Sequence, residues 1–402
     1  MIDRIVKNYF LFFFSIIPIS IIIGPSISLI NILIIDISFI IYLIFNRNFS
    51  FIKNDAFKYL LLLYFYLIFN SFISADPNIG LSRNLGFIRI IVFFIAINYF
   101  FYDKSFFSKV LFSWFIFLLI VIIDVFFEYF NGENILGFGE IYGHRIVSFF
   151  KDEPIVGGYI NAFYLILVGF LYDKSPKSYK NIILLFSVMI FISIFLTGER
   201  SNAIKAFLGF MLFYIFFKNY NIKQKLIFFI LGLTILTFTV TNSVYFKNRY
   251  ISQVKVSIFE NQKYFDLYKS GFEIFKNNKV FGVGNKNYRI VACSKNLDEA
   301  EVSSKYVCNT HPHQTYFEFL SEHGIFGTLI ILLVIFKIFF AKFINFFRDL
   351  NYTQLGSFIY IFLIFIPLLP SGAFFSDYAV TLFALNLSIF YASNAKTNIF
   401  SR

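Results

Sequence analysis

Twelve separate runs of apolar residues dominate this chain of 402 residues. They lie at Tyr9–Ile23, Ile27–Phe45, Phe57–Ile73, Leu85–Phe101, Phe106–Phe130, Ile155–Tyr172, Ile182–Leu196, Ala203–Phe217, Leu226–Thr241, Thr315–Phe340, Leu355–Leu369 and Phe374–Ala392. Runs of this length suit helices that cross a hydrocarbon layer, which takes roughly 20 residues. Aromatic residues make up 23% of the chain and charged residues only 14%, so the 64 Phe and 26 Tyr exceed what a globular interior of this size can hide. A water-soluble domain is excluded. The expected fold is an all-α, polytopic membrane bundle of about 12 helices: nine in residues 1–242, a long loop over 243–314, and three in 315–402.

The direction of threading follows from the basic residues. With the N-terminus in the cytoplasm, 18 of the 35 Lys and Arg fall on inside segments, whereas the short outside loops hold only Arg83, Arg145, Lys151 and Arg200. That asymmetry puts both termini inside. No small-residue cleavage site follows the first run, so it reads as an uncleaved span. The long loop then lies outside, with 11 basic against 6 acidic residues. Long loops translocate regardless of charge, so this excess does not oppose the topology; it points to an anionic partner. With the chain in a membrane, nucleic acid is not that partner.

Within the loop, Val254, Ile258, Phe265, Tyr268, Phe272 and Phe275 recur at three-, four- and seven-residue spacing, with Lys255, Lys263, Lys269 and Lys276 between them. This predicts an amphipathic helix, either on the membrane surface or across the mouth of the bundle with lysines near phosphate or lipid head groups, or simply packed on its neighbours in water. Both cysteines, Cys293 and Cys308, lie in the same loop. Two unpaired thiols would be unusual in an oxidising compartment, and a bridge there contributes about 3 kcal/mol in the loop-entropy picture. Their spacing to His311 and His313 matches no usual zinc pattern. No metal site or cofactor is expected.

The loop runs into the tenth span through Thr310-His311-Pro312-His313-Gln314-Thr315, followed by Gly324, Gly327 and Thr328. A histidine, then Asn, Ser or Gln, nine residues, and Gly-x-x-Gly-Thr resembles the signature of the O-antigen ligase superfamily, which includes O-antigen polymerases and protein O-oligosaccharyltransferases. His313, Gln314, Gly324, Gly327 and Thr328 fill every fixed position. Thr197-Gly198-Glu199-Arg200-Ser201, in the tight turn between spans seven and eight, is similar to the family's essential-arginine turn, with Ile204 where Leu is usual. Val280-Phe281-Gly282-Val283-Gly284-Asn285, with Arg289 after it, resembles a Gly-x-Gly turn late in the family's loop. His144-Arg145 and Phe149 to Gly158 resemble another outside loop more loosely.

The resemblance implies an inner-membrane glycosyltransferase acting on the periplasmic face, with an undecaprenyl diphosphate-linked glycan as donor. Lipid A-core is the acceptor if it is a ligase, and a second carrier-linked glycan if it is a polymerase. The chemistry agrees. A diphosphate suits the planar fork of arginine, and Arg200 is the first choice, with Arg289 and Arg145 next; each could instead snorkel or pair with an acid such as Glu199. A neutral imidazole can take a proton from an attacking hydroxyl, and His313 is the preferred base with His311 its competitor. Displacement at the anomeric carbon would then invert it without a metal. Gln314 and Glu318 are further substrate-binding candidates, while Glu318 and Glu322 read equally well as a polar stripe at the helix entrance. Asp124 and Glu128, near the outer end of span five, read either as cavity-lining or as boundary residues. No P-loop, His-Glu-x-x-His or outer-loop Asp-x-Asp occurs. A lipid-glycan flippase is the alternative of another class, although no inverted repeat supports it. The enzyme reading requires His313 and Arg200 to meet at the outer rim beside a slot for a prenyl tail.

Overall fold

A computed structural model describes residues 2–139, 145–151, 153–217, 220–256, 262–293, 306–340 and 349–401. His144 and Ile258 lie outside the described residues. Eleven of the twelve apolar runs lie on one helix or an adjoining pair to within three residues, and the run Leu355–Leu369 leaves its helix after Ile364. Seven helices are long and apolar enough to cross a membrane by length and composition: Pro25–Asn46, Pro77–Phe100, Lys104–Asn131, Val156–Lys174, Lys177–Leu196, Ile222–Asn242 and Thr315–Phe339. The bent pair Arg4–Ser15 and Ile17–Ile23 makes an eighth if it is one span. The remaining runs lie on helices of 13 to 18 residues. The protein is an all-α, multi-pass membrane protein.

Two compact units divide the chain. The first comprises Met1–Asn31, Asp103–Glu260 and Leu350–Ile364. It holds α1 (Ile2–Ser15), α2 (Ile17–Ile23), the start of α3 (Pro25–Asn46), α7 (Lys104–Asn131), α8 (Val156–Lys174), α9 (Lys180–Leu196), α10 (Arg200–Ile215), α11 (Ile222–Asn242) and α15 (Tyr352–Ile364). Helix α8 is buried over most of its length, with α7, α9, α10 and α15 packed on it. Polar residues set the ends. Asp103 caps α7 through the amides of Ser105 and Phe106, Asn221 and Gln224 form a capping box on α11, and left-handed Gly132 closes α7. The Asp173 carboxylate at the end of α8 accepts from the amides of Tyr352 (3.2 Å) and Thr353 (2.9 Å), joining it to the start of α15.

The second unit comprises Ile32–Tyr102, Asn261–Asp349 and Phe365–Arg402. It holds the rest of α3, then α4 (Asp55–Phe72), α5 (Pro77–Leu85), α6 (Ile88–Phe100), α12 (Lys263–Asn277), α13 (Tyr288–Ala292), α14 (Thr315–Phe340) and α16 (Asp377–Ala392). Arg83 and Arg89 both pair with Asp377 at the start of α16. Helix α14 is broken at Gly324, whose φ of 62° and ψ of −169° are not helical. The break frees backbone groups, and the loop after α12 takes them up. The amides of Val283 and Gly284 donate to the carbonyls of Ser321 (2.9 Å) and Glu322 (2.8 Å), and the amides of Ile325 and Phe326 donate to Lys279 (2.8 Å) and Val280 (3.1 Å). Both glycines at this crossing have positive φ, and a Cβ on Gly324 would come within 2.4 Å of Val280 while one on Gly282 would come within 2.3 Å of Glu322. The two glycine motifs are thus the two halves of one contact.

Gly324→Ala and Gly282→Ala should each cost at least about 2 kcal/mol through strain and lost hydrogen bonds. Gly232→Ala, on α11 with its nearest neighbour 4.0 Å away, should be neutral or stabilising. Thermal unfolding in detergent separates the two classes, and equal midpoints for all three would refute the account.

Candidate functional site

In the first unit, the end of α9 leaves carbonyl groups without helical partners. The segment after α11 supplies donors. Tyr250 donates through its hydroxyl to Phe195 O (2.8 Å), Tyr245 to Leu196 O (3.1 Å), and Arg249 through Nε to Gly198 O (2.7 Å). Arg249 and Tyr250 lie in a π-helical turn, Asn248–Ser252, and Tyr245 in the helical turn just before it, Val244–Lys247. Glu199 ties the other side: its carboxylate accepts from the amides of Gly157 (2.5 Å) and Gly158 (3.2 Å) at the start of α8, and from Asn202 Nδ2 (2.6 Å). Arg200 begins α10 directly after this anchor.

The loop that bears Arg145 is held in the same way. Glu128 accepts from the amides of Val147 (2.9 Å) and Ser148 (2.6 Å), and Asp124 accepts from the amide of Ile135 (3.0 Å) and from Asn134 Nδ2 (3.3 Å). Asp124 and Glu128 are buried braces for this loop.

The resulting electrostatics are unusual. Arg249 is 5% exposed, and burial, followed by the charges of Arg145 and Arg200, pulls its guanidinium down to about 10. Its Nη2 is buried and makes no hydrogen bond among the described residues. A buried guanidinium with two others within electrostatic reach of it favours an anion. Glu199 is the acid of this neighbourhood, and its carboxylate serves backbone amides. Burial raises it to about 7, against the lowering effects of Gly157, Asn202, Arg145 and Gly158.

In the second unit, His311 and His313 stand with ring centroids 4.0 Å apart. Both nitrogens of His311 are engaged. A carbonyl only accepts, so Nε2 donates to Ser371 O (3.3 Å), and Nδ1 accepts from the Thr310 hydroxyl (2.9 Å). Burial first, then the neighbouring His313 and Lys286, lower His311 to about 3, so it stays neutral. His313 has a left-handed φ of 56°, and its carbonyl accepts from the Ser371 amide (2.9 Å). Gln314 Oε1 caps α14 by accepting from Tyr316 N (2.8 Å) and Phe317 N (3.0 Å). The Glu318 carboxylate accepts from Phe374 N (3.0 Å), and Glu322 accepts from Tyr288 N (3.3 Å). The side chains of His311, Gln314 and Glu318, expected from the sequence to bind substrate, also brace the histidine segment through these contacts. Arg289 is exposed on α13.

Cys293 and Cys308 form a disulfide that joins the end of α13 to the strand of chain leading into His311. Beside it, Val307 N donates to Ser270 Oγ (3.1 Å) and Tyr288 donates to Val307 O (3.2 Å).

Two cations escaped the sequence reading. Arg249 was submerged in the net charge of the long loop, although its setting between Tyr245 and Tyr250 is a signal of a guanidinium held among rings. Lys286 follows the Gly-x-Gly turn with a φ of 65° and lies within electrostatic reach of His311, Glu318 and Glu322.

Residues 185–332 match the sequence model of the O-antigen ligase family. That stretch of the chain is similar to the O-antigen ligase family. The matched stretch includes Arg200, Arg249, Lys286, Arg289, His311, His313 and Glu318, and stops short of Arg145. No curated protein matches the chain. The similarity supports a function of the O-antigen ligase or polymerase type, with lipid-linked glycan and lipid as general partners.

Two predictions follow from this geometry. Because the Glu199 carboxyl is raised above its unfolded value, the folded state binds its proton more tightly, and stability from this group falls as pH rises from about 4.5 to about 7. Glu199→Gln should therefore flatten the pH dependence of the thermal midpoint and gain most at pH 8; a variant that tracks the wild type at every pH counts against a raised carboxyl. Replacing Cys293 and Cys308 by Ser, or adding reductant, should cost about 3 kcal/mol. An unchanged midpoint in reductant would mean that the bridge carries no stability.

Proposed function

We propose that the protein is an O-antigen ligase of the bacterial inner membrane, transferring a glycan from undecaprenyl diphosphate to lipid A-core on the periplasmic face. The observation that carries this reading is the buried Arg249 guanidinium, flanked by Arg145 and Arg200 and left with an unpartnered nitrogen. Such a group suits a diphosphate, whose oxygens accept several charge-assisted hydrogen bonds at once. Arg200 and Arg249 are its first ligands, and Arg145 adds charge.

In the reaction, an acceptor hydroxyl oxygen attacks the anomeric carbon, and the bond from that carbon to the diphosphate oxygen breaks. The bonding electrons leave with the diphosphate, where the guanidinium groups stabilise the growing charge. His313 takes the hydroxyl proton. The single displacement inverts the anomeric centre. His311, locked neutral with its lone pair engaged, holds the adjacent chain and leaves the proton transfer to His313. The charge of the leaving group is met by arginine, so transfer should persist with chelator present.

The test is transfer in vitro with purified protein, carrier-linked glycan and lipid A-core. His313→Ala and Arg200→Ala should each lower turnover by at least about 100-fold, and Arg249→Lys, which lacks the fork, by at least about 10-fold. Wild-type turnover in His313→Ala and Arg200→Ala, or collapse of transfer in EDTA, rejects these roles. Longer carrier-linked glycan in place of glycosylated core would assign polymerase activity instead.

A further inference from the structure

Helix α12 carries two different faces. Leu267, Tyr268, Ser270 and Ile274 are buried, with the Tyr268 ring stacked on Phe317 at 5.3 Å and Ser270 bonded to the Tyr288 hydroxyl at 2.8 Å. The other face is a ladder of Phe265, Lys269, Phe272 and Lys276, confined to an arc of about 60° at the helical repeat. All four are exposed. The apolar periodicity seen in the sequence is therefore divided: Tyr268 packs inward, while Phe265 and Phe272 stay exposed, Phe272 edge-on to Phe317 at 6.4 Å with Lys276 folded over its ring at 5.1 Å.

The end of this ladder is fixed in depth. Lys279 and Val280, immediately after α12, accept from the amides of Ile325 and Phe326 in the spanning helix α14. The Phe281 ring lies 5.5 Å from both Phe69 of α4 and Phe326 of α14. Phe69, Ile325, Phe326 and Val280 are 46 to 59% exposed, the lipid-facing sides of an apolar bundle. The aromatic ladder is thus continuous with that surface. Its charge is basic: Lys269, Lys276 and Lys279 stand against Asp266 and Glu273, and Glu273 is bonded to Lys276.

We propose that this face of α12 lies in the headgroup layer of the membrane and binds anionic phospholipid, with Phe265 and Phe272 at the acyl boundary and Lys269, Lys276 and Lys279 on lipid phosphates. Aromatic rings alternating with lysines on one stripe are what an in-plane helix presents to such a surface. Water would leave two phenyl rings bare, and a second copy docking stripe to stripe would set lysine against lysine.

The experiment uses the full chain in nanodiscs, with a spin label at Phe265→Cys or Phe272→Cys. The natural cysteines are bridged, so the label goes to the new thiol. Label accessibility to oxygen and to a nickel chelate reports depth, with Ile325→Cys as the lipid reference and Lys53→Cys as the water reference. In discs containing phosphatidylglycerol, both α12 labels should favour oxygen at headgroup depth. In that lipid, combining Lys269→Glu, Lys276→Glu and Lys279→Glu should raise chelate access at least about threefold. Chelate access equal to that of the Lys53→Cys label overturns the proposal. So does equal depth in phosphatidylcholine and phosphatidylglycerol discs, which would leave apolar insertion without headgroup recognition. Dipolar broadening between labels on two chains would assign the face to a second copy and overturn it as well.

Discussion

A helix broken inside a membrane protein exposes amides and carbonyls that hydrocarbon cannot satisfy, at a cost of several kcal/mol for each. The break at Gly324 is sustained because residues 279–284 return four backbone hydrogen bonds to it. The loop cannot leave without orphaning all four groups together. This is why irregular chain can hold a fixed position here. Lys286 follows that loop, Glu322 precedes the break, and the histidines precede the same helix, so one backbone exchange orders most of the polar side chains of the second unit.

The acids follow one rule. Asp124, Glu128, Asp173, Glu199, Glu318 and Glu322 are each turned onto backbone amides near a chain break or helix start. A carboxylate used in this way holds loops, and among the described residues Glu199 forms no direct ion pair with the nearby guanidinium groups, although Arg145 acts on it electrostatically. Had Glu199 paired with Arg200, as adjacency in the sequence suggests, the charge offered to an anion would be smaller. In the proposed reaction, construction falls to these acids and chemistry to the cations and His313. The buried Nη2 of Arg249 then marks where an acceptor from outside the chain is wanted.

The helices were legible because a run of apolar residues has one economical solution in lipid, although only seven of them, or eight with the bent pair, have the length to span and the run Leu355–Leu369 leaves its helix after Ile364. The boundaries were less so: α10 begins at Arg200 and not at Ala203, because Glu199 fixes the turn through contacts with α8, 41 and 42 residues earlier. The glycine positions were visible as motifs, but that Gly282 and Gly324 face each other depends on long-range backbone pairing that periodicity does not encode. The same limit applies to Gln314 and Glu318, polar residues beside a candidate base whose capping and bracing contacts spacing alone does not reveal. Arg249 was hidden because a charge count averages over a loop, whereas its significance comes from the carbonyls of one distant turn. On α12, spacing revealed the apolar residues without revealing that they divide between two faces.

Two histidines two residues apart are chemically alike in a sequence, and their surroundings make them different. His311 has a donor on one nitrogen and an acceptor on the other, so gaining a proton would break the bond from Thr310 in a buried setting. Pro312 sits between them, and the chain turns so that His313 takes a left-handed backbone, a conformation that costs a non-glycine residue about 1 kcal/mol or more. The hydrogen bond from Ser371 to the His313 carbonyl holds that turn. Ser371 therefore serves both residues, accepting from one ring and donating to the other's backbone. A strained histidine beside a fully engaged one is an expensive arrangement for structure alone, since a relaxed loop could cap α14 through Gln314 just as well. The strain gains a purpose in the proposed reaction, where the imidazole that exchanges a proton is the one carried on that turn.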